Sequence, residues 1–363
     1  MHNTLSGRSA ARRWLAGLLA AVAVSAGQAA EYFDAYGLRP DSPAVDLGTQ
    51  PLGYPSGVIS AVMHRDRILR RELAALDQPL SAHPFRRGAD MLGLLAERRL
   101  DAALLGDMPT ILGAAEGRLW IVGLVKQTAT AIVASGIHEV AGLAGKRVAY
   151  VPVSSAHHTL LQGLASAGLQ ESDVRLVAMG VDAMPAALQR GDIDAFAAWE
   201  PAPSTALSQG GGVQIVFRGR SSDYFVVEKA FAQRSPQAAE TLVAGYVRAI
   251  EWMRRSRRNL DKAAQWALAD ARDFGGKAPE VTPEQIGAIT RREILNIPSA
   301  PVIINNSKGP PPLRKEFEFL RSQNKLPAAG TWENVGGAFQ TDLLPRVIAD
   351  PQRHRLQTFD YED

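Results

Sequence analysis

The sequence predicts an α/β protein with a largely parallel sheet, built as two similar lobes, and three observations carry that prediction. Apolar strand candidates alternate with helical segments from residue 44 to residue 199. One pattern occurs twice: "LLAERRLDAALLGDMP" (94–109) resembles "ALQRGDIDAFAAWEP" (187–201), each with a helix end, an Arg, an apolar-Asp-Ala strand start and an acid beside Pro. Two topologically similar lobes would leave such an echo. Beyond residue 230 the character changes to longer helices, which would pack around the sheet.

In chain order, "AVDLGTQPLGYPSGVISAVMHRDRILRREL" reads as a short strand, a Gly/Pro/Ser loop and an amphipathic helix striped by Val58, Val62, Ile68 and Leu69. "GADMLGLLAERRL" is a helix and "LDAALLG" a strand, and "RLWIVGLVKQ" and "TAIVAS" are two further strands. "LAGKRVAYVPV" is a turn and a strand, and "HHTLLQGLASAGL" is a helix stopped by Gly168 at C′. "DVRLVAM", "DAMPAALQRG" and "DIDAFAAW" continue the alternation as strand, short helix and strand. Ser235 and Pro236 form an N-cap and N1 pair for the first long helix. "RRSRR" at 254–258 reads as a solvated face, "RKEFEFLRSQNKL" as a last amphipathic helix, and the polar tail after Pro345 as loosely packed.

The chain has 363 residues, 46% of them hydrophobic and 21% charged, ordinary values for a globular protein of one or two domains. Its formal charge of +3 comes from Arg8, Arg12 and Arg13; without residues 1–30, 37 basic residues face 37 acidic ones. A neutral body argues against nucleic acid as a partner, and against an anionic membrane held by gross charge. Residues 1–30 read as an export signal: a basic start ending in "RR", the apolar run "WLAGLLAAVAVSA", and small residues Gly27 and Ala29 placed for cleavage near Ala29 or Ala30. Sec and twin-arginine export both stay open. With no cysteine there is neither a disulfide framework nor a lipidated Cys, and a periplasmic destination follows.

The richest local signal is "VAYVPVSSAHHTLL", where Ser154, Ser155, His157 and His158 stand at a strand-to-helix junction. A Ser–His nucleophile would need an orienting third residue and an elbow motif, and neither is apparent. A metal site would need partners at ligand spacing, and the remaining histidines are scattered. An anion at the helix N-terminus needs least, because unpaired N–H groups, hydroxyls and the helix dipole already favour it. No catalytic residue, metal or cofactor is assigned.

These motifs, with "GDMPTILGAAEG" and "AALQRGDIDAFAAWEPAPSTAL", resemble the aliphatic-sulfonate, taurine and nitrate group of ABC-transporter substrate-binding proteins over roughly residues 46–330. The resemblance implies a type II periplasmic binding protein fold with two hinge crossovers. Lobe I would be residues 31–136 and 224–345, lobe II residues 137–223, and residues 346–363 a tail. It implies an interlobe cleft holding a small organic anion, a sulfonate or sulfate ester, delivered by a monomer to the permease subunits of an ABC importer. Nitrate, bicarbonate or a thiamine precursor is the alternative ligand, and a cleft enzyme on the same fold the alternative activity. Position by position it implies ligand contacts from Tyr54 and Ser56 in "GYPSG", and from Gly106 and Asp107 in "GDMP". It implies others from Ser154, Ser155 and His157 in "SSAH", Trp199 and Glu200 in "AWEP", and Tyr224 in "SDYFVV". Trp199 could equally be core, Glu200 and Asp107 could serve helix starts, and His158 falls to helix surface or packing. Arg86 and Arg87 depart from the small residues and proline of sulfonate binders and would stand near the cleft mouth.

Overall fold

The computed structural model describes residues 31–276, 279–297, 301 and 313–361. The export segment read at residues 1–30 lies outside them. From Tyr36 onward the chain is one compact unit. Among the described residues eight strands form its sheet: β1 (Val45–Thr49), β2 (Leu80–Pro84), β3 (Ala102–Gly106), β4 (Leu119–Ser135), β5 (Arg147–Tyr150), β6 (Arg175–Ala178), β7 (Ala195–Ala198) and β8 (Val213–Glu228). Their order is β2-β1-β3-β8-β4-β7-β5-β6. The two halves of this order follow one pairing pattern. β1 pairs parallel with β2 and β3, as β5 does with β6 and β7. Then β3 pairs antiparallel with β8, as β7 does with β4. The two echoed segments thus place β3 and β7 at equivalent positions.

The centre is the antiparallel pair β4–β8, which runs from Leu119↔Glu228 to Ser135↔Val213 with three register irregularities. Two separate strands were expected across 118–135, but β4 is one strand of 17 residues because β8 partners it throughout. β3 joins this pair only at one end, through Gly106↔Asp223, and β7 only at the other, through Ala131↔Ala198.

Helices cover the sheet: α1 (Ser56–His64), α2 (Arg67–Ala74), α3 (Ala89–Ala96), α4 (Asp107–Ala115), α5 (Ser155–Ser166), α6 (Met184–Gln189) and α7 (Ala202–Ser208). The later ones are α8 (Lys229–Arg234), α9 (Pro236–Arg255), α10 (Arg257–Gly275), α11 (Pro283–Thr290), α12 (Arg314–Ser322), α13 (Trp332–Gly337) and α14 (Leu343–Ala349). α1, α9 and α10 pack their apolar faces into one large core with β1, β3 and the near end of β8. The other end of the sheet has a smaller core on each face, one around Phe196 and Met184 and one around Leu160 and Leu164. Gly168 takes φ +71° just past α5, as its C′ reading requires. Ser256 divides the long helical stretch by capping α10, its side chain accepting the Asn259 N–H.

The tail is not loose. Arg248 and Asp66, both fully buried, pair at 2.6 Å, and the same guanidinium donates to the His354 carbonyl at 2.9 Å. The Tyr361 ring lies 4.4 Å from that of Trp252. Asp66 also caps α2, accepting the N–H groups of Ile68 and Leu69. Removing one partner of such a pair would strand a buried charge.

Candidate functional site

Because the two halves repeat, four helix starts reach the middle of the molecule. α1 and α5 follow the first strands of their halves, and α4 and α7 follow the third. Their N-termini border a narrow cleft whose floor is the β4–β8 pair, with Lys126 and Asp223 on it. Gly106 and Ser155 meet across the cleft so closely that a Cβ on Gly106 would collide with Ser155 Oγ.

At α5 the chain leaves β5 through Val153, a β-branched residue at φ +54°. Such a residue occupies the left-handed region only when its surroundings enforce it. Here the enforcement is visible: the Val153 N–H donates to His157 Nδ1 at 3.2 Å, and His157 Nε2 donates to Glu171 at 2.7 Å. Burial lowers the His157 pKa against the pull of Glu171, in keeping with that neutral tautomer. Ser154 caps the helix, its Oγ accepting the His157 N–H at 3.2 Å and donating to the Val151 carbonyl at 2.7 Å. Ser155 begins the helix with no acidic residue in the first turn. The N–H groups of Ser155 and Ala156 have no intrahelical acceptor by geometry.

The other three starts are each answered by a carboxylate. At α4, Asp107 Oδ1 accepts the Met108 N–H at 2.7 Å, while Oδ2 lies 3.5 Å from Nδ1 of His158 on α5. At α1, Ser56 Oγ donates to Asp223 Oδ2 at 2.5 Å. At α7, Glu200 Oε2 accepts the Ser204 N–H at 3.3 Å, and its Oε1 pairs with Arg292 at 3.3 Å.

Lys126 Nζ stands 3.6 Å from Asp223 Oδ2, with both side chains largely buried. Burial opposes the ammonium charge, but Asp223, Glu293 and Asp107 together hold the Lys126 pKa above its ordinary value. Burial pushes the Asp223 carboxyl up against Lys126 and the Ser56 hydroxyl. Lysine has three donors and is here a buried cation on the cleft floor. Above it, the Trp199 indole Nε1 is buried without a hydrogen-bond partner. A Cβ on Gly53 would approach that nitrogen to 3.1 Å, so the glycine lets the indole come close.

Of the residues read from sequence, Tyr54, Ser56, Gly106, Ser154, Ser155 and Trp199 line this cleft together. Four others have side chains engaged elsewhere: Asp107 on its own helix and His158, His157 on Val153 and Glu171, Glu200 on α7 and Arg292, and Tyr224 against Phe339 at 6.5 Å. His158, assigned to helix surface or packing, is fully buried and contacts Asp107 across the cleft. Arg86 is exposed over the Phe274 ring at 5.9 Å, and Arg87 pairs with Asp90 at 2.6 Å. Gln50, Lys126 and Asp223 were missed. A lone lysine inside the apolar run "LWIVGLVKQ" was the available signal. Among the described residues, no cluster of three His, Cys, Asp or Glu could hold a metal, and no helix is long and apolar enough to cross a membrane.

The sequence profile of the NMT1-like family matches residues 42–269. Over 205 residues the chain is 31% identical to the putative aliphatic sulfonates-binding protein of Escherichia coli (strain K12), covering 54% of this chain and 64% of that one. It therefore spans less than two thirds of that relative's length. The alkanesulfonate-binding protein SsuA from Xanthomonas axonopodis pv. citri, bound to MOPS, superposes with a TM-score of 0.61 at 22% identity over 83% of this chain and 99% of SsuA. The desulfurization enzyme DSZB superposes with a TM-score of 0.52 at 15% identity over 85% of this chain and 99% of DSZB. These likenesses show the fold: a two-lobed periplasmic binding protein architecture, here with one eight-stranded sheet flanked by helices.

Proposed function

This chain belongs to the NMT1-like family, and on that premise we propose that it is the exported solute-binding component of an ABC importer. It captures a small organic anion, a sulfonate or sulfate ester, between its lobes and delivers it to membrane permease subunits. The observation that carries this reading is the start of α5: free of acid, fronted by Ser155, and sharing one cleft with the buried cation of Lys126 and the unpartnered indole N–H of Trp199. Oxyanions are met by such convergent donors, and a poorly hydrated cleft strengthens each contact. Lobe I comprises residues 31–136 and 224–345 and lobe II residues 137–223, with hinge bending taken up in β4 and β8. The sulfonate preference draws on the names of the E. coli relative and of SsuA.

The fold also hosts an enzyme, and fold alone does not fix activity. Thermal unfolding of the purified protein with alkanesulfonates, sulfate esters, taurine, nitrate, bicarbonate and thiamine precursors tests the ligand class. A ligand at 100 times its Kd adds about 2.7 kcal/mol to the native state. Sulfonates or sulfate esters are expected to raise Tm, and stabilisation by nitrate or bicarbonate alone would overturn the assignment. The bound ligand is expected back chemically unchanged; turnover would identify an enzyme.

A further inference from the structure

One wall of the cleft has the wrong sign for an anion. Asp223 of β8 pairs in register with Gly106 of β3. Its Oδ1 would lie 3.5 Å from a Cβ placed on Gly106, the same point that Ser155 Oγ crowds. Among the described residues no hydrogen bond reaches Oδ1, whereas Oδ2 accepts the Ser56 hydroxyl at 2.5 Å and lies 3.6 Å from Lys126 Nζ. A carboxylate oxygen thus faces the place where the head group would sit. Lys126 does not cancel it, because that one cation on β4 already answers three acids: Asp223, Asp107 at the start of α4, and Glu293 just after α11. Asp107 is engaged by the Met108 N–H and faces His158 of α5. Glu293 accepts from Arg292 at 2.7 Å and does not line the cleft.

We propose that Asp223 takes up a proton as the anion enters, and that its Oδ1 hydroxyl then donates to the bound head group. The proposal rests on the anion-binding reading above and adds a proton as a second species bound. Anion and proton enter as a pair, the proton drawn from solvent, so the net charge buried in the cleft does not change. Two anions this close in a poorly hydrated site cannot both stay ionised. A sulfonate is the conjugate base of a strong acid and does not take the proton, so the protein must. Asp223 is the acid placed to do so, since it alone of the three lines the cleft with Lys126. Burial already pushes its carboxyl above the ordinary value, against Lys126 and the Ser56 hydroxyl. Once protonated, Oδ2 still accepts from Ser56, and Lys126 is freed to face the ligand.

Titration calorimetry of butanesulfonate into the purified protein tests this. It is run at one shared pH in bis-Tris and in Tris, cationic buffers of different ionisation enthalpy, and repeated from pH 6 to pH 9. The heats are expected to differ between buffers by the uptake of about one proton per sulfonate, and affinity to fall as pH rises, by at most about tenfold per pH unit. Asp223→Asn, whose amide oxygen can still meet Ser56, is expected to lose the uptake and most of the pH dependence. His158→Gln is expected to keep both, which separates Asp223 from the other proton-binding group near the cleft even where the asparagine variant is unstable. Buffer-independent heat with a flat pH profile, uptake that survives Asp223→Asn, or uptake that disappears with His158→Gln overturns the proposal and leaves the anion site standing. Butanesulfonate that fails to bind across the whole range overturns the anion-site reading itself, and the proton's role with it.

Discussion

The two lobes answer the same architectural problem differently. Each sends two helix N-termini to the cleft, and each terminus carries roughly half a positive charge. Both starts in lobe I are met by acids of the chain: Asp223 of β8 accepts the Ser56 hydroxyl at the start of α1, and Asp107 accepts the first-turn N–H of α4. In lobe II, Glu200 does the same for α7. Of the four starts at the cleft, the described contacts leave only that of α5, the counterpart of α1, with no carboxylate on a backbone N–H or hydroxyl of its first turn. On the proposed function, three ends are closed by the chain's own acids and the fourth is left for an acid from outside.

Supplying the missing carboxylate should destroy this difference between lobes, and with it the largest effect is expected. Ser155→Asp puts an anion where the ligand's anion would sit. Alkanesulfonate affinity should fall by at least about 100-fold, some 2.7 kcal/mol. Stability should change by less than that, because an acid in the first turn suits the dipole while the close approach of Ser155 to Gly106 works against the larger side chain. Titration calorimetry together with a urea melt separates the two quantities. Undiminished binding would mean that the anion is held elsewhere.

Lys126 sharpens the same comparison, since it lies on the shared floor beneath both lobes. Lys126→Met should weaken sulfonate binding by about 10–100-fold, the worth of one charge-assisted contact in a dry site. It also leaves Asp223 buried without its cation, a loss of roughly 3–5 kcal/mol. The double variant Lys126→Met/Asp223→Asn removes both charges together, so most of the stability should return while the affinity does not. If affinity recovers with stability, Lys126 serves the fold and not the ligand.

What the sequence disclosed and what it hid follow from the period of each element. The start of α5 was legible because strand exit, cap and helix are contiguous: Ser154, Ser155 and the following helix announce themselves within a few residues. The echo between 94–109 and 187–201 was legible as well, and it places β3 and β7 at mirrored positions in the sheet. Asp223 and Tyr224 cannot be sorted from sequence, because neighbours on a strand point to opposite faces and nothing local says which face meets the cleft. The sequence reading chose the tyrosine, whereas the aspartate lines the site. His157 and His158 pose the same problem on a helix, where adjacent residues look in different directions. The docked tail was hidden for another reason. Its anchors, Arg248 and Asp66, lie far from it in the sequence, and its own composition is polar.

Those two histidines give the smallest effect and the finest comparison, because adjacent residues on α5 should titrate with opposite consequences. Burial disfavours the charge on His158, yet Asp107 and then Glu316 outweigh it, and its pKa is raised above the ordinary 6.5. The folded protein thus binds that proton more tightly than the unfolded chain. Its contribution to stability is complete below about pH 6.5 and is lost as pH rises through the folded value. For His157 burial prevails over Glu171 and the pKa is lowered, so its contribution is present above about pH 6.5 and is lost as pH falls through the folded value. Melting curves from pH 5 to pH 9 should therefore diverge: His158→Gln flattens the decline on the alkaline side, and His157→Gln flattens it on the acid side. Parallel curves would mean that Asp107 does not hold a proton on His158, and that the contact between the lobes at that point carries no charge.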